Sequence, residues 1–122
     1  NIIDLKKYEN YLEIGTFKND LFNYIKCKNK FGVDPVSGGN IRKTSDEFFE
    51  TNDKTFDIIF IDPPYKEMKI NMLIEKIIYR KLLKKDGILI IHRHKKDKIV
   101  ITEKINILDT RIYGVSKVYF AN

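Results

Sequence analysis

The stretch Phe56-Asp57-Ile58-Ile59-Phe60-Ile61-Asp62-Pro63-Pro64-Tyr65 decides how this chain is read. Ile58, Ile59, Phe60 and Ile61 form an unbroken β-branched and aromatic run. It is too short for a half-exposed helix and reads, over Asp57–Ile61, as a strand buried on both faces of a parallel sheet. Pro63 and Pro64 have no N–H to give to a ladder, so the strand must stop before them. Asp62 and Tyr65 then stand just past the carboxyl end of a strand, where open α/β sheets build their ligand sites.

These residue types suit an amine substrate. The lone pair of an exocyclic amino group on a base is delocalised into the ring, which makes the nitrogen a poor nucleophile. A carboxylate and a carbonyl accepting its two N–H bonds would localise that pair. Asp62 and the carbonyl of Pro63 are the candidate acceptors, and Pro63 and Pro64 stiffen the corner because each ring fixes φ. Tyr65 offers a flat face for a stacked base, a contact worth about 1–3 kcal/mol. A strand end with a proline turn and a surface tyrosine is the simpler alternative. The apolar strand in front and the aromatic behind favour the functional reading.

Asp62-Pro63-Pro64-Tyr65 resembles the [N/D/S]-P-P-[Y/F] motif of amino-group methyltransferases that use S-adenosylmethionine. Leu82-Leu83-Lys84-Lys85-Asp86-Gly87-Ile88-Leu89-Ile90-Ile91-His92 and Arg111-Ile112-Tyr113-Gly114 extend the likeness. The second half of the chain thereby resembles the RsmD family, which methylates a guanine amino group of small-subunit ribosomal RNA. The first half has a likeness of its own. Tyr11-Leu12-Glu13-Ile14-Gly15, Gly32-Val33-Asp34-Pro35-Val36-Ser37-Gly38-Gly39 and Thr44-Ser45-Asp46-Glu47-Phe48-Phe49 are similar to a class I methyltransferase branch found beside glycan-modifying enzymes. That branch has F-I-D-G and a histidine where this chain has F-I-D-P-P-Y. The two likenesses imply different substrates and meet near Phe56–Asp62.

At 122 residues and 43% hydrophobic, the chain is long and apolar enough for one small domain, residues 1–122. It begins at Asn1 rather than methionine, so truncation at the N-terminus stays open. A formal charge of +6 suits a polyanion such as RNA. Lys26, Lys28, Lys30, Lys81, Lys84 and Lys85 equally suit solvated helix faces and turns. Cys27 is the sole cysteine, which excludes an internal disulfide or a cysteine zinc cluster and fits a reducing cytoplasm. No apolar stretch approaches the roughly 20 residues of a membrane span, and no signal peptide is visible. A cytoplasmic monomer is the expectation.

Strand and helix patterns alternate. Tyr11–Gly15, Lys30–Asp34 and a possible Ile41–Thr44 read as strands one to three, with a brief helix over Asp20–Ile25. Ser37–Asn40 is a loop by composition. Ser45 suits an N-cap for a short helix through Phe49. Met68–Leu83 reads as a helix with Met68, Met72, Leu73, Ile77 and Leu83 among its apolar positions. Gly87–His92 is a strand after a K-K-D-G turn, and Ile105–Tyr113 with Ser116–Phe120 read as a hairpin around Gly114. The alternation implies an α/β fold with a mainly parallel sheet. With the resemblance, it implies a Rossmann-like class I methyltransferase sheet ordered 3-2-1-4-5-7-6, the last strand antiparallel and the helices reduced. The helix usual between strands two and three is almost missing.

In that fold Glu13-Ile14-Gly15 ends the first strand where S-adenosylmethionine binds, and a glycine there lets backbone approach closely; a simple strand-to-turn glycine is the alternative. Gly15-Thr16-Phe17-Lys18-Asn19 has one glycine where such loops show several; Asn19 tolerates a left-handed conformation. Asp34 lies roughly 20 residues on, where an acid accepts hydrogen bonds from ribose hydroxyls; an Asp-Pro turn starter is the alternative. Ser45 and Asp46 fit beside the adenine, or equally as an N-cap and first-turn acid. His92 belongs near the pocket, and no further metal ligand is apparent beside it and His94. Arg93, His94, Lys95, Lys96 and Lys98 form a basic cluster for solvent or RNA phosphate. Arg111 and Tyr113 belong to a base pocket or merely pack the hairpin.

The reading is thus an S-adenosylmethionine-dependent transferase for a guanine amine in ribosomal RNA, with roles in rRNA processing and RNA methylation. Asp62, Pro63, Pro64 and Tyr65 serve the substrate; Glu13, Gly15, Asp34, Ser45 and Asp46 serve the cofactor. The alternatives are a glycan or small-molecule methyltransferase and a truncated, non-catalytic module.

Overall fold

The computed structural model describes residues 8–17, 19–63, 67–97 and 105–122, apart from the side chains of 67 and 68. Six strands form one sheet: Asn10–Ile14 (β1), Asn29–Val33 (β2), Phe56–Ile61 (β3), Leu83–His94 (β4), Ile107–Tyr113 (β5) and Ser116–Ala121 (β6). Asp20–Tyr24 (α1), Ser45–Thr51 (α2) and Glu67–Tyr79 (α3) are the helices. The sheet order is β2-β1-β3-β4-β6-β5. β2, β1, β3 and β4 run parallel, and β6 is antiparallel to both β4 and β5. No described helix is long and apolar enough to cross a membrane.

The expected third strand shrinks to a single parallel bridge between Val33 and Ile41. With that bridge counted, the order matches the expectation. Ile41–Thr44 does not extend because Thr44 already caps α2. Its side chain accepts the Glu47 N–H while Glu47 reaches back to the Thr44 N–H, a reciprocal capping box. The cap is therefore Thr44 and not Ser45, which occupies the first helical position.

Alternation along the strands divides the core in two. Leu12, Ile14, Ile59, Ile61, Leu89 and Ile91 face α2 and α3. Each buried side chain of this size contributes about 1.5–3 kcal/mol of transfer free energy. The buried stripe of α3 is Ile70, Leu73, Ile74 and Ile77, while Met72 points outward at 53% exposure. Tyr11, Ile58 and Phe22 of α1 form the core on the opposite face. Phe60, Ile88 and Ile90 are only partly buried there, because the one described helix on this side is the five-residue α1.

The expected Met68–Leu83 helix ends at Tyr79. Lys81 turns left-handed at φ 55°, the Leu82 N–H donates to the Ile77 carbonyl, and the Lys81 N–H donates to the Ile78 carbonyl. This is a Schellman stop without glycine. Leu83 belongs to β4 and pairs with Phe56. The Lys84–Gly87 segment is a bulge inside β4, where the pairing jumps from Phe56–Leu83 to Ile58–Ile88.

Candidate active site

β1, β2 and β3 end side by side, and a cavity of about 670 Å³ opens beyond them. That volume lies within the range of small-molecule sites. Glu13, Gly15, Asp34, Ser45, Asp62 and Pro63 all line it. The structure thus brings together six of the nine residues expected from sequence. Asp46 does not line it: its carboxylate pairs with Lys76 of α3 at 2.8 Å, a contact that pulls its titration below the ordinary range. Pro64 and Tyr65, and the basic-cluster residue Lys98, lie outside the described residues.

Gly15 has φ 88°, and a Cβ there would meet the backbone of Asp62 and Pro63 at 2.7–2.8 Å. The glycine is required by the neighbouring loop itself, a constraint separate from any ligand. The Asp62 N–H donates to the Ile14 carbonyl at 2.9 Å, which ties the corner to β1. Asn19 is left-handed as expected, at φ 66°, and Phe17 joins it at φ 47°. Phe17 is 65% exposed yet lines the cavity. Sequence reasoning missed it; the shortage of glycine in this loop was the available signal.

Asp34 is buried and already occupied. Its Oδ1 accepts the N–H groups of Val36 and Ser37 at 2.9 and 3.0 Å. Its Oδ2 accepts that of Phe17 at 3.1 Å. Burial works against its charge, but the Ser37, Val36 and Phe17 donors, with Arg42, outweigh it and hold the carboxyl below its ordinary range. Asp34 therefore starts the turn after β2, as an Asp-Pro turn would, and through Phe17 also fastens the two loops that wall the cavity. Glu13 sits deeper, 2% exposed, and accepts the Tyr11 hydroxyl at 2.6 Å. Burial pushes its carboxyl up to about 7 against the Tyr11 hydrogen bond, and the Asp62 charge adds to the rise.

At the mouth, Asp62 Oδ1 lies 2.8 Å from His92 Nδ1, which places His92 at the site as expected. Burial pushes the Asp62 carboxyl upward while His92 and Arg93 oppose it. Arg93 is not part of a solvated cluster. It is buried, donates from Nη1 to the Pro63 carbonyl at 3.3 Å and pairs with Asp97. Strand alternation turns it inward while His94, Lys95 and Lys96 stay exposed. Arg111 pairs with Asp109 and Tyr113 is exposed, both on the far edge strand β5.

The described lining contains four carboxylates (Glu13, Asp20, Asp34 and Asp62) and no lysine or arginine, in a chain of net charge +6. Such walls fit a ligand that carries positive charge, and the apolar side chains of Phe17, Leu21 and Val36 fit a flat ring. A Rossmann-like sheet with an antiparallel strand inserted before its edge, and this cavity at the carboxyl ends of β1, β2 and β3, defines the class I methyltransferase fold. Solved structures share it. A candidate methylase from Haemophilus influenzae has a TM-score of 0.74 at 14% identity, covering 93% of this chain and 85% of that one. A ribosomal protein L11 methylase from Lactobacillus delbrueckii has a TM-score of 0.68 at 16% identity, covering 93% and 68%.

The chain belongs to the family described as Conserved hypothetical protein 95, whose model matches residues 17–122. That match runs through the Phe56–Asp62 junction between the two likenesses. An uncharacterized methylase of Rickettsia prowazekii is 28% identical over 120 residues, 96% of this chain and 50% of the relative. The ribosomal RNA small subunit methyltransferase D of Buchnera aphidicola is 30% identical over 70 residues, 57% of this chain and 37% of the relative. The chain thus spans half or less of the length of these two curated relatives.

Proposed function

We propose that this chain carries the site of an S-adenosylmethionine-dependent methyltransferase acting on an exocyclic amine of guanine in ribosomal RNA. The observation that carries the reading is the meeting of Glu13, Asp34, Asp62 and Pro63 around one cavity whose described lining holds no lysine or arginine. Glu13 and Asp34 would hold the cofactor's amino and ribose groups, Gly15 would bring backbone close, and Ser45 would stand at the adenine. When bound, the cofactor supplies an activated methyl group on a sulfonium. The protein's task is then mainly alignment.

Asp62 and the Pro63 carbonyl orient the amine by accepting its N–H groups. Arg93 donates to that carbonyl, whose oxygen can accept a second bond, here from the substrate. Pro64 would stiffen the corner through its fixed φ, and Tyr65 would stack the base. The RNA assignment is supported by the D-P-P-Y motif and the likeness to ribosomal RNA small subunit methyltransferase D. The implied partner is the small ribosomal subunit, met by a cytoplasmic monomer.

Calorimetry with S-adenosylhomocysteine and methylation of small-subunit RNA test the two halves of the reading. Asp62→Ala should lower kcat by about 10²-fold or more with cofactor affinity nearly unchanged. Tyr65→Ala should weaken RNA binding, and Tyr65→Phe should keep much of it. A chain that binds cofactor but methylates no amine would instead favour the glycan or small-molecule alternative. Absence of cofactor binding would favour the non-catalytic module.

A further inference from the structure

We infer that His92 is a positioning residue that fixes Asp62 so that its second carboxylate oxygen takes up the proton lost by the methylated amine. The inference rests on the N-methyltransferase reading above. Sheet register sets the contact. Phe60 pairs with Ile90 and Ile61 with Ile91, so the next pair along is Asp62 and His92, on one face of the sheet. Their side chains meet at 2.8 Å and keep 44% and 34% of their surface in solvent. Asp62 lines the cavity, whereas His92 does not. An ionised Asp62 requires the hydrogen on His92 Nδ1. Oδ1 is then held, and Oδ2, which has no hydrogen-bond donor among the described residues, would take an N–H of the ligand.

The chemistry needs such a group. As the nitrogen–carbon bond forms, the carbon–sulfur bond breaks and sulfur keeps the electron pair. The nitrogen becomes positively charged with one proton too many. Transfer of that proton to Asp62 Oδ2 restores a neutral amine, and the half-exposed carboxyl then releases it to water. Asp62 must start ionised, and its surroundings resist that. Glu13 stands beneath it from β1, and Asp20 of α1 lines the same cavity. Arg93 acts from β4 through the Pro63 carbonyl. β6 presents apolar Val118 opposite His92. Arg111, the next residue across on β5, is paired with Asp109. Among the described residues, His92 is therefore the donor in direct contact with the Asp62 carboxylate.

The test compares wild type with His92→Phe, which removes the donor, and His92→Asn, whose amide nitrogen reproduces the Nδ1 position. In the ligand-free protein, carbon-13 NMR of the Asp62 carboxyl should show its titration moving up by about one unit or more in His92→Phe, and less in His92→Asn. In the loaded enzyme, His92→Phe should lower kcat about tenfold or more and shift the acidic limb of its pH profile upward. S-adenosylhomocysteine affinity should stay within about twofold, and His92→Asn should recover most of the rate. Equal Asp62 titrations, or equal kcat–pH profiles, for wild type and His92→Phe overturn the role of His92. Absence of amine methylation by the wild type overturns the functional reading, and the proton-uptake step with it.

Discussion

Gly15 and Pro63 are packed backbone to backbone: a Cβ on Gly15 would stand 2.7 Å from the Pro63 nitrogen. The turn after β1 and the corner after β3 therefore form one unit. Gly15→Ala must both adopt a positive φ and push the corner away. It should cost about 2–4 kcal/mol of stability, measured by urea unfolding. An alanine variant as stable as wild type would show that the corner yields freely.

Glu13 yields a pH prediction. Its carboxyl titrates near 4.5 when unfolded and at about 7 when folded. Between those values the unfolded chain holds fewer protons, so stability should fall as pH rises from about 4.5 to 7 and level off above. The loss should be on the order of 2–3 kcal/mol. Glu13→Gln keeps an acceptor for the Tyr11 hydroxyl and carries no charge. Urea unfolding from pH 5 to 8 should show a flatter stability profile and weaker S-adenosylhomocysteine binding at pH 8. An unchanged pH slope would place the titration elsewhere.

Asp34 has the opposite sign. Its folded titration lies below the unfolded value, so its contribution is complete above about pH 4 and is lost as pH falls through the folded value. Asp34→Ala removes the acceptor of three backbone N–H groups. It should destabilise by about 2–3 kcal/mol and weaken S-adenosylhomocysteine binding about tenfold or more. Thermal melts with calorimetry check both, and unchanged affinity in a folded variant would remove Asp34 from the proposed cofactor site.

Lys81 ends α3 in a left-handed conformation that glycine adopts without strain. Lys81→Gly should raise stability by about 0.5–1 kcal/mol. A loss on chemical denaturation would mean that the lysine side chain holds the turn in another way.

The strand Phe56–Ile61, the stop at Asp62-Pro63, the β/α alternation and the closing hairpin at Gly114 were readable because each is a local pattern. β-branched runs, missing N–H groups and a turn glycine act within a few residues of where they stand. With the fold, those patterns led to Glu13, Gly15, Asp34, Ser45, Asp62 and Pro63, which share one cavity.

Other features needed the tertiary structure because the sequence carries no local mark for them. The stop of α3 is made by Lys81, an ordinary helix former, through bonds to the Ile77 and Ile78 carbonyls. Thr44 and Ser45 are both fitting caps by type; the reciprocal bond with Glu47 chose Thr44. Asp46 looked as good a site residue as Ser45, but α3 brings Lys76 to it. Arg93 read as one of a basic run until alternation along β4 turned it under the Pro63 carbonyl. Residue order alone determined which strands end in acids and where prolines break the sheet. Which acid stands beside which partner was decided across strands, since register joins Asp62 to His92 over a separation of 30 residues, and burial raises the Glu13 carboxyl while backbone donors hold that of Asp34 down.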